Sequence, residues 1–414
     1  MAYTRRDFLK TGALFVSIGV TAPAFLSRTV EAAAEKTPPR TLVVVQLSGG
    51  NDGLNMVAPY THPKYREVRP RLALTRDELL PLDDRLAFHG AMERLHHRYA
   101  NGQVAVIEGV GYPNPNRSHF RSMEIWQTAI PEQYEPSGWL GRYLDANCCG
   151  TGKPSAHDLS TAAINIGGTL PLAFWTTHVV VPAIGTLSAF QFQTDGEYPD
   201  DRQNQLSAIR AIYARASSPR EYEEFIRTVG LGAIETSEQI QHIARSYTPR
   251  ATYPNDPFSQ QLKLIAQLMQ ADLGTRIYYV ALGGFDTHAR QARTHATLLK
   301  YFSDGIDAFL SDLEAQGNAD NVLLISFSEF GRRVRENVSE GTDHGTAAPM
   351  LAIGPRVRGG IHGNPPDLDN LVDGDLRYEI DFRAVYATVL EQWLETQSRP
   401  ILGGTFEPVP FLTQ

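Results

Sequence analysis

Carboxylate and imidazole side chains that can bind a divalent cation occur in four short polar segments of the chain. Each segment follows or precedes an apolar run. Oxygen and imidazole nitrogen ligands suit zinc, and they also bind manganese, calcium or iron. One such residue alone has an ordinary explanation, since an aspartate can form a turn or cap a helix. Together the segments predict a site for one or two divalent ions, with zinc favoured, whose candidate ligands are Asp52, Asp286, His288, Glu329 and His344.

A serine beside a basic residue is a candidate nucleophile. Ser118 follows Arg117 and begins a segment with helical character, so its hydroxyl could either cap the helix or react. A helix amino terminus and a metal ion both favour a negatively charged oxygen at this position. Asn51 and Arg117 carry donors that suit the oxygens of a tetrahedral anion. Ser118 is therefore the predicted catalytic residue, Asn51 and Arg117 are predicted to bind substrate, and His119 could bind the metal or simply pack.

Apolar runs rich in β-branched residues adjoin these polar segments. Such runs alternate with helical patterns, which is typical of a parallel sheet covered by helices on both faces. In these sheets, ligands bind at the carboxyl ends of the strands, which is where the polar segments fall. The sequence therefore predicts an α/β fold with a mostly parallel sheet. The predicted strands lie near 41–47, 276–282, 321–327 and 348–353, and a helix is predicted over 118–128.

The chain between about 150 and 255 is less regular than the rest. It has strand-like patches and helices rich in arginine, glutamine and glutamate, without an internal repeat. We interpret this range as an insertion or cap rather than an independent domain. The predicted organisation is a single α/β domain that spans 35–414.

Composition and motifs exclude several function classes. The 414 residues carry a formal net charge of −8, so no global positive field exists that would hold nucleic acid. The two cysteines, Cys148 and Cys149, cannot form a four-thiolate metal site. The segment Ser48-Gly49-Gly50 lacks the lysine of a Walker loop, and no dinucleotide-binding glycine pattern begins the first helix. We therefore expect no nucleic-acid partner and no nucleotide cofactor.

The first 34 residues have the features of a secretory signal peptide. Arg5 and Arg6 precede an apolar stretch from Thr11 to about Leu26, and small alanines follow at 32–34. The apolar stretch is shorter than the roughly 20 residues that a membrane-spanning helix needs. The Arg-Arg-x-Phe-Leu-Lys pattern is of the twin-arginine type. We therefore predict export by the twin-arginine machinery, no stable membrane anchor in the mature chain, and a periplasmic or other extracytoplasmic location.

Six segments together resemble a widespread bacterial family. They are the Arg-Arg leader, Val-Val-Val-Gln-Leu-Ser-Gly-Gly-Asn-Asp-Gly-Leu-Asn, Arg-Ser-His-Phe-Arg-Ser-Met-Glu-Ile-Trp, Gly-Gly-Phe-Asp-Thr-His, Ser-Glu-Phe-Gly-Arg and Gly-Thr-Asp-His-Gly. The chain is similar, from about 40 to 400, to the domain of unknown function 1501 in the alkaline phosphatase/sulfatase superfamily. The resemblance implies an alkaline phosphatase/sulfatase-like sheet with metals at the strand ends.

The same resemblance implies roles for individual residues. Asp52 resembles the aspartate that bridges toward the nucleophile and a metal, and Ser118 resembles the nucleophile at a helix start. Asp286, His288 and His344 resemble metal ligands. Superfamily members hydrolyse or transfer phosphate and sulfate esters through a metal-bound side chain, which is the activity that the resemblance implies.

Two features depart from the superfamily pattern. Phe330 follows Glu329 where an Asp-His pair is usual, and phenylalanine cannot bind a metal. The spacing between Asp286 and His288 is also shorter than usual. Because of these two differences from the superfamily pattern, one metal site could be weakened or absent in this chain.

Three functional hypotheses follow. The favoured one is an exported metal-dependent hydrolase of phosphate or sulfate esters, small or polymer-linked, with a metal-activated serine; Ser118 and the Asp/His residues favour it. The alternative is a non-catalytic periplasmic binding or assembly protein with a degenerate metal site, which Phe330 favours. The third hypothesis is a redox enzyme that receives its cofactor before export. The sequence has no motif for binding such a cofactor and no cysteine spacing typical of an iron–sulfur cluster.

Replacing Arg5 and Arg6 with lysine tests the export hypothesis. We expect the Arg5→Lys/Arg6→Lys precursor to remain in the cytoplasm, because the twin-arginine machinery reads the paired arginines. A general secretory signal would tolerate the change, since lysine keeps the positive charge before the apolar stretch. Cell fractionation followed by immunoblotting measures the distribution. Efficient export of the double variant would contradict the twin-arginine hypothesis.

Overall fold

The computed structural model describes most of the chain beyond the predicted leader. The described residues are 40–147, 158–159, 161–176, 179–186, 198, 200–215, 234, 237, 247–270 and 273–413. The predicted signal peptide, residues 1–34, and the two adjacent cysteines lie outside them.

Strands in the described residues form one large sheet and two small ones. In chain order they are β1 (Thr41–Ser48), β2 (Val57–Ala58), β3 (Leu79–Pro81), β4 (Ala87–His89), β5 (Val104–Gly111), β6 (Asp158–Leu159), β7 (Ala163–Ile166), β8 (Val179–Val180), β9 (Ile277–Gly283), β10 (Val322–Phe327), β11 (Ala348–Ile353), β12 (Gly360–His362) and β13 (Ile380–Asp381). The large sheet has eight strands in the order β12-β5-β11-β10-β1-β9-β7, with β13 also paired to β5. Strands β2, β4 and β3 form a second sheet, and β6 pairs with β8.

Helices connect and cover these strands. In chain order they are α1 (Gly53–Met56), α2 (Pro63–Val68), α3 (Glu93–Ala100), α4 (His119–Thr128), α5 (Trp139–Asn147), α6 (Asp201–Arg215), α7 (Pro257–Gln270), α8 (Gln291–Gln316), α9 (Phe382–Thr388) and α10 (Arg399–Leu402). A π-helical segment, Val389–Trp393, continues α9. None of the helices in the described part of the chain combines the length and the apolar character needed to cross a lipid bilayer.

Strand direction decides which loops meet at one edge of the large sheet. Strand β1 pairs in parallel with β10 and β9, and β9 pairs in parallel with β7. Strand β11 runs antiparallel to both β10 and β5, so β5 points the same way as β1. The mostly parallel α/β fold predicted from the sequence is confirmed. Because β11 alone among these strands is reversed, the loop that precedes β11 lies at the edge where β1, β5, β9 and β10 end.

Both faces of the large sheet are buried, because the apolar runs place hydrophobic side chains on each side. Val43 of β1 belongs to a core cluster that α3, α7 and α8 cover. Val44, the next residue, belongs to a second cluster that α4, α5 and α9 cover on the opposite face. Alternation of side chains along a strand explains this division. The sheet is therefore a rigid layer between two helical layers, and its strand ends are fixed in position.

The range near 150–255 contributes to the large sheet as well as to its surroundings. Strand β7 pairs with β9, with Ala163 opposite Ile277 and Ile166 opposite Val280. Strands β6 and β8 form their own small sheet, and α6 follows them along the chain. One strand from this range is thus an edge strand of the central layer.

Replacing Val44 with alanine tests the importance of the buried sheet. Val44 is fully buried, whereas Val338 is 92% exposed. We expect Val44→Ala to lower the free energy of unfolding by about 2 kcal/mol, because two methyl groups leave a closely packed core. The matched Val338→Ala change should alter it by less than about 0.5 kcal/mol. Urea denaturation measures both, and equal effects would contradict the burial of β1.

Candidate metal centre

Four side chains that can bind a metal meet at the edge where the parallel strands end. Asp286 and His288 lie in the loop after β9, and His344 lies in the loop before β11. His119 is the first residue of α4, which follows β5. The strand directions bring these three segments together. All four side chains are partly open to solvent, with exposed fractions between 22% and 48%.

Donor atoms of three of these side chains form a nearly equilateral triangle. Asp286 Oδ1 lies 2.9 Å from His288 Nε2 and 3.1 Å from His344 Nε2. The two histidine Nε2 atoms are 3.0 Å apart. Ligand atoms of one tetrahedral zinc ion, each about 2.0–2.1 Å from the metal, lie roughly 3.3 Å from one another. The triangle therefore has nearly the dimensions of one face of a zinc site.

His119 adds a fourth donor beside this triangle. Its Nε2 lies 3.4 Å from Asp286 Oδ2. His119, Asp286 and His344 each offer a ligand atom, and these atoms all lie within 4.8 Å of one another. Three imidazoles thus surround one carboxylate, which is a ligand set that suits zinc better than calcium or magnesium.

Each of the three imidazoles is oriented by a contact at its other nitrogen. Nδ1 of His344 lies 2.8 Å from the carbonyl oxygen of Arg117, and Nδ1 of His288 lies 3.0 Å from Asp343 Oδ1. Nδ1 of His119 lies 2.9 Å from Glu329 Oε1. A carbonyl oxygen or a carboxylate accepts hydrogen bonds only, so each Nδ1 carries the proton and each neutral ring has its lone pair on Nε2.

These tautomers explain why the group fits a cation. Two Nε2 lone pairs 3.0 Å apart, next to a carboxylate oxygen, would repel one another unless a cation or a proton lies between them. Histidine ligands of metals generally donate the second ring N–H to a carboxylate or backbone carbonyl. His119, His288 and His344 all satisfy this condition, and the residues present therefore fit a divalent metal ion.

Asp286 is held in its ionised form. Burial acts to raise the pKa of this carboxyl, but the hydrogen bond and charge of Arg332, together with the contact to His344, outweigh burial, and the pKa falls to about 2. The Arg332 Nη2 atom lies 2.8 Å from Asp286 Oδ1. At neutral pH the carboxylate is therefore charged and available to a cation.

Arg332 joins the loops that carry the candidate ligands. Its guanidinium is fully buried and donates to the backbone carbonyls of Gly49, Gly50, Thr342 and Phe285. These carbonyls belong to the loops after β1 and β9 and to the loop before β11. One side chain thus fixes three loops at once, and Arg332 also provides the hydrogen bond to Asp286 described above.

Glu329 lies behind the triangle and contacts it through His119. Its side chain is 2% exposed, and Oε1 accepts a hydrogen bond of 2.8 Å from the backbone N–H of Gly49. The same oxygen lies 2.9 Å from His119 Nδ1. Glu329, predicted as a ligand, is therefore placed to orient a histidine, and the structure does not bring it into the donor triangle.

Asp52 is turned into the protein rather than toward the triangle. Its carboxylate lies 2.6 Å from Arg69 Nη1, and both side chains are essentially inaccessible to solvent. Gln291 donates a second hydrogen bond to the same oxygen. Burial acts to raise the pKa of Asp52, but the charge and hydrogen bond of Arg69 and the hydrogen bond from Gln291 together outweigh burial, and the pKa is lowered. The sequence-predicted ligand Asp52 is thus neutralised by a cation of the protein.

Asn51 is also turned inward. Its Oδ1 lies 2.9 Å from His295 Nε2, and its Nδ2 lies 2.9 Å from Met56 Sδ. Burial lowers the pKa of His295 to about 3, so this ring is neutral at physiological pH. The backbone N–H of Asn51 donates to Ser328 Oγ over 2.8 Å. Asn51, predicted to bind substrate, therefore serves as a link between the β1 loop, α8 and the end of β10.

Arg117 and Ser118 lie at the rim of the site. The Arg117 guanidinium pairs with the buried Asp375, and its carbonyl oxygen holds His344. Ser118 is exposed and is the N-cap residue of α4, as the sequence predicted, but its side chain makes no capping hydrogen bond to the helix. The Ser118 hydroxyl is thus left open beside His119.

A cavity of about 820 Å³ adjoins the cluster. Arg117 and Phe330 line it together with Asn116 and Arg377. The Phe330 ring centroid lies 4.6 Å from that of His344 and 5.0 Å from that of His119. Phe330 therefore contributes an apolar wall to the cavity beside two of the imidazoles.

Three contributors to the site were missed or underrated by the sequence analysis. His119 was left open between ligand and packing, and neither Asp343 nor Arg332 was assigned a role. The adjacent Asp343-His344 pair and the Ser-Glu-Phe-Gly-Arg segment carried the signal. Neither pattern shows which backbone carbonyls or imidazoles these side chains contact.

Replacing one imidazole of the triangle tests the metal centre. We expect His288→Ala to reduce the bound zinc of purified protein by at least a factor of about ten. Losing only a residue that hydrogen-bonds to a metal ligand already lowers metal affinity about 10–100-fold, and this variant loses a ligand itself. The exposed His97, on α3, supplies the matched control, and His97→Ala should retain the metal. Inductively coupled plasma mass spectrometry measures the content. Equal zinc in the two variants would contradict the role of His288.

Solved structures with a related chain path include sulfatases and other proteins with low sequence identity. Ps i-CgsB is 10% identical, with a TM-score of 0.38, over 90% of this chain and 73% of that chain. The PsFucS1 sulfatase from Pseudoalteromonas sp. is 11% identical, with a TM-score of 0.38, over 95% and 74%. The C-terminal periplasmic domain of EcEptC from Escherichia coli, in complex with Zn, is 12% identical, with a TM-score of 0.34, over 77% and 73%.

At the level of sequence, no curated protein matches the chain. A family match, in contrast, covers most of it. The family described as protein of unknown function (DUF1501) matches residues 39–394. The chain therefore belongs to this family.

Proposed function

We propose that this protein is an exported, metal-dependent hydrolase of phosphate or sulfate esters. The observation that carries the proposal is the arrangement of His288, His344 and Asp286, whose donor atoms lie 2.9–3.1 Å from one another. Such an arrangement is stable only with a cation or proton between the donors. The resemblance to the alkaline phosphatase/sulfatase superfamily supports the same reaction class.

Asp286, His288 and His344 would hold one zinc ion, and His119 would supply the fourth donor. A bound ion would act as a Lewis acid on a phosphoryl or sulfuryl oxygen. Asp343, Glu329 and the Arg117 carbonyl would keep the imidazoles in the required tautomer. The buried pairing of Asp52 with Arg69 favours one ion rather than two, because Asp52 already has its counter-charge.

Ser118 is the proposed nucleophile. Its exposed hydroxyl lies at the amino terminus of the ten-residue helix α4, where the helix dipole favours negative charge, and it is not used as a cap. Attack of the Ser118 oxygen on phosphorus or sulfur would form a serine ester and release the alcohol. Water would then cleave that ester to give phosphate or sulfate and restore the hydroxyl.

Substrate oxygens would be held at the rim of the cavity. Of the two residues predicted for this task, Asn51 is buried and Arg117 is paired with Asp375. Arg377 and Asn116 are exposed and line the same cavity. Their donors suit the oxygens of an anionic ester, small or polymer-linked.

The remaining predictions from the sequence complete the proposal. Residues 1–34 would direct export through the twin-arginine machinery, and the mature chain would act in the periplasm or another extracytoplasmic compartment. Residues 35–414 would form one domain, with 150–255 as an insertion or cap that also provides the edge strand β7.

A non-catalytic binding or assembly protein is the second candidate function. The observation in its favour is that Asp52 and Arg117 have their charges neutralised by Arg69 and Asp375. Phe330 adds an apolar side chain at a position that could otherwise bind a second ion. Such a protein would retain the metal but would not turn over an ester.

Replacing Ser118 with alanine separates the two functions. We expect the zinc-loaded wild type to hydrolyse 4-nitrophenyl phosphate or 4-nitrophenyl sulfate. Ser118→Ala should lower kcat by at least about a hundredfold while the zinc content stays constant, since only the nucleophile is removed. The matched control is Ser207→Ala, at an exposed position of α6.

Two outcomes would contradict the catalytic role. Equal kcat values for Ser118→Ala and Ser207→Ala would exclude Ser118 as the nucleophile. A zinc-loaded wild type without activity on either ester would favour the binding protein.

A further inference from the structure

A chain of hydrogen bonds holds the segment that connects β5 to α4. Tyr112 follows β5 directly and is only 3% exposed. Its hydroxyl oxygen accepts a hydrogen bond of 3.0 Å from the backbone N–H of Asn116. The same hydroxyl lies 2.7 Å from the Oγ atom of Ser122, a buried residue of α4. The Tyr112 hydroxyl therefore joins the segment that leads to Ser118 with the helix that follows it.

The direction of each hydrogen bond in this chain is set by its last acceptor. The Ser122 hydroxyl donates to the backbone carbonyl oxygen of Glu329, which can only accept, so its single proton is used there. Tyr112 must therefore donate to Ser122 and accept from Asn116. The Asn116 carbonyl oxygen, 3.4 Å from the Tyr112 hydroxyl, is the more distant acceptor. The chain thus runs in one direction from the Asn116 N–H to the Glu329 carbonyl, and hydrogen bonds aligned in this way strengthen one another.

Asn116 extends this restraint to Ser118. The Oδ1 atom of Asn116 accepts a hydrogen bond of 2.8 Å from the backbone N–H of Ser118. The Ser118 carbonyl oxygen in turn accepts a hydrogen bond of 2.9 Å from the backbone N–H of Ser122. Both backbone polar groups of Ser118 are therefore engaged, whereas its exposed hydroxyl makes no capping hydrogen bond. The proposed nucleophile has a fixed main chain and an open hydroxyl.

The chain of hydrogen bonds ends at a residue that also orients a candidate metal ligand. The buried carboxylate of Glu329 lies 2.9 Å from His119 Nδ1, and the backbone carbonyl of Glu329 accepts from Ser122. One residue thus contacts the imidazole through its side chain and the hydrogen-bond chain through its backbone. The position of Ser118 is thereby coupled to that of His119.

We propose that Tyr112 is a positioning residue for Ser118, an inference that rests on the proposed hydrolase function. The Tyr112 hydroxyl holds Asn116, and Asn116 holds the main chain of Ser118, so that the serine hydroxyl stays beside His119. The Tyr112 hydroxyl itself does not react. A reacting group that is displaced by about 1 Å can lose about a hundredfold in rate. Loss of this hydroxyl therefore lowers kcat rather than substrate affinity.

Replacing Tyr112 with phenylalanine in the full mature chain tests the proposal, because the ring remains and only the hydroxyl is lost. We expect Tyr112→Phe to lower kcat for 4-nitrophenyl phosphate or 4-nitrophenyl sulfate at least about tenfold, with KM and zinc content unchanged. We also expect the ¹⁵N order parameter of the Ser118 amide, measured by NMR relaxation, to fall, since the restraint through Asn116 is weakened.

Tyr386 provides the matched control. It is fully buried in the same core cluster as Tyr112, and its hydroxyl donates to the carbonyl oxygen of Trp126 over 3.1 Å. Tyr386→Phe also removes one buried tyrosine hydroxyl, but it leaves the contacts of Asn116 and Ser118 in place. We expect this variant to keep the wild-type kcat and the wild-type order parameter at Ser118. Circular dichroism melting verifies that each variant is folded.

A double-mutant cycle with Ser122→Ala tests whether the hydroxyls act as one chain. Ser122→Ala interrupts the chain at its next member, so the combined loss of kcat in Tyr112→Phe/Ser122→Ala should be smaller than the product of the two single losses. The proposal is overturned if folded Tyr112→Phe keeps the wild-type kcat, if Tyr386→Phe lowers kcat equally, or if the two single losses multiply.

The order parameters separate this proposal from the proposed function. If the zinc-loaded wild type hydrolyses neither ester, the proposed function fails. The mobility of the Ser118 amide then decides the positioning role alone. A lower order parameter in Tyr112→Phe than in Tyr386→Phe supports the role, and equal values overturn it.

Discussion

The buried guanidinium of Arg332 is the interaction on which the candidate site depends. It donates to carbonyl oxygens in three loops, at Gly50, Phe285 and Thr342, over 2.6–2.8 Å, and to the carboxylate of Asp286 over 2.8 Å. Carbonyl groups of loops at a sheet edge would otherwise lack partners, and a buried guanidinium needs several acceptors to be stable. The guanidinium supplies donors for the loop carbonyls, and the carbonyls supply the acceptors that the buried guanidinium needs. The loops after β1 and β9 and the loop before β11 are therefore held in one arrangement, and Asp286 is kept ionised at its centre.

The orientation of the three imidazoles depends on oxygen atoms that accept hydrogen bonds from their Nδ1 atoms. Each candidate ligand ring donates from Nδ1 to an oxygen, so that Nε2 is the free donor atom for a metal. These oxygens belong to Asp343, Glu329 and the backbone of Arg117, which come from different loops. Glu329 also accepts from the backbone of the β1 loop, at Gly49. Ring orientation and loop position are thus coupled. The candidate metal site depends on the contacts that hold the strand ends together rather than on any one motif.

The sequence was sufficient to predict the sheet, because continuous β-branched runs identify buried strands and the polar segments fall at their ends. It also selected Asp286, His288 and His344, whose types and positions suit a metal. It did not predict where Asp52 and Arg117 would point, since their partners Arg69 and Asp375 are not marked by any spacing rule. The antiparallel direction of β11 was not predicted either, because a strand's apolar pattern is the same in both directions. Pairings of buried charges are decided by packing in three dimensions, which a single sequence does not display.

The central claim is that one zinc ion binds between three imidazoles and one carboxylate held in place by Arg332. X-ray absorption fine structure at the zinc edge of the zinc-loaded mature protein measures this ligand set directly. The account predicts a first shell of nitrogen and oxygen at about 2.0–2.1 Å, with the outer-shell scattering of three imidazole rings. A first shell that contains sulfur at about 2.3 Å, or outer-shell scattering from fewer than two imidazoles, would contradict it.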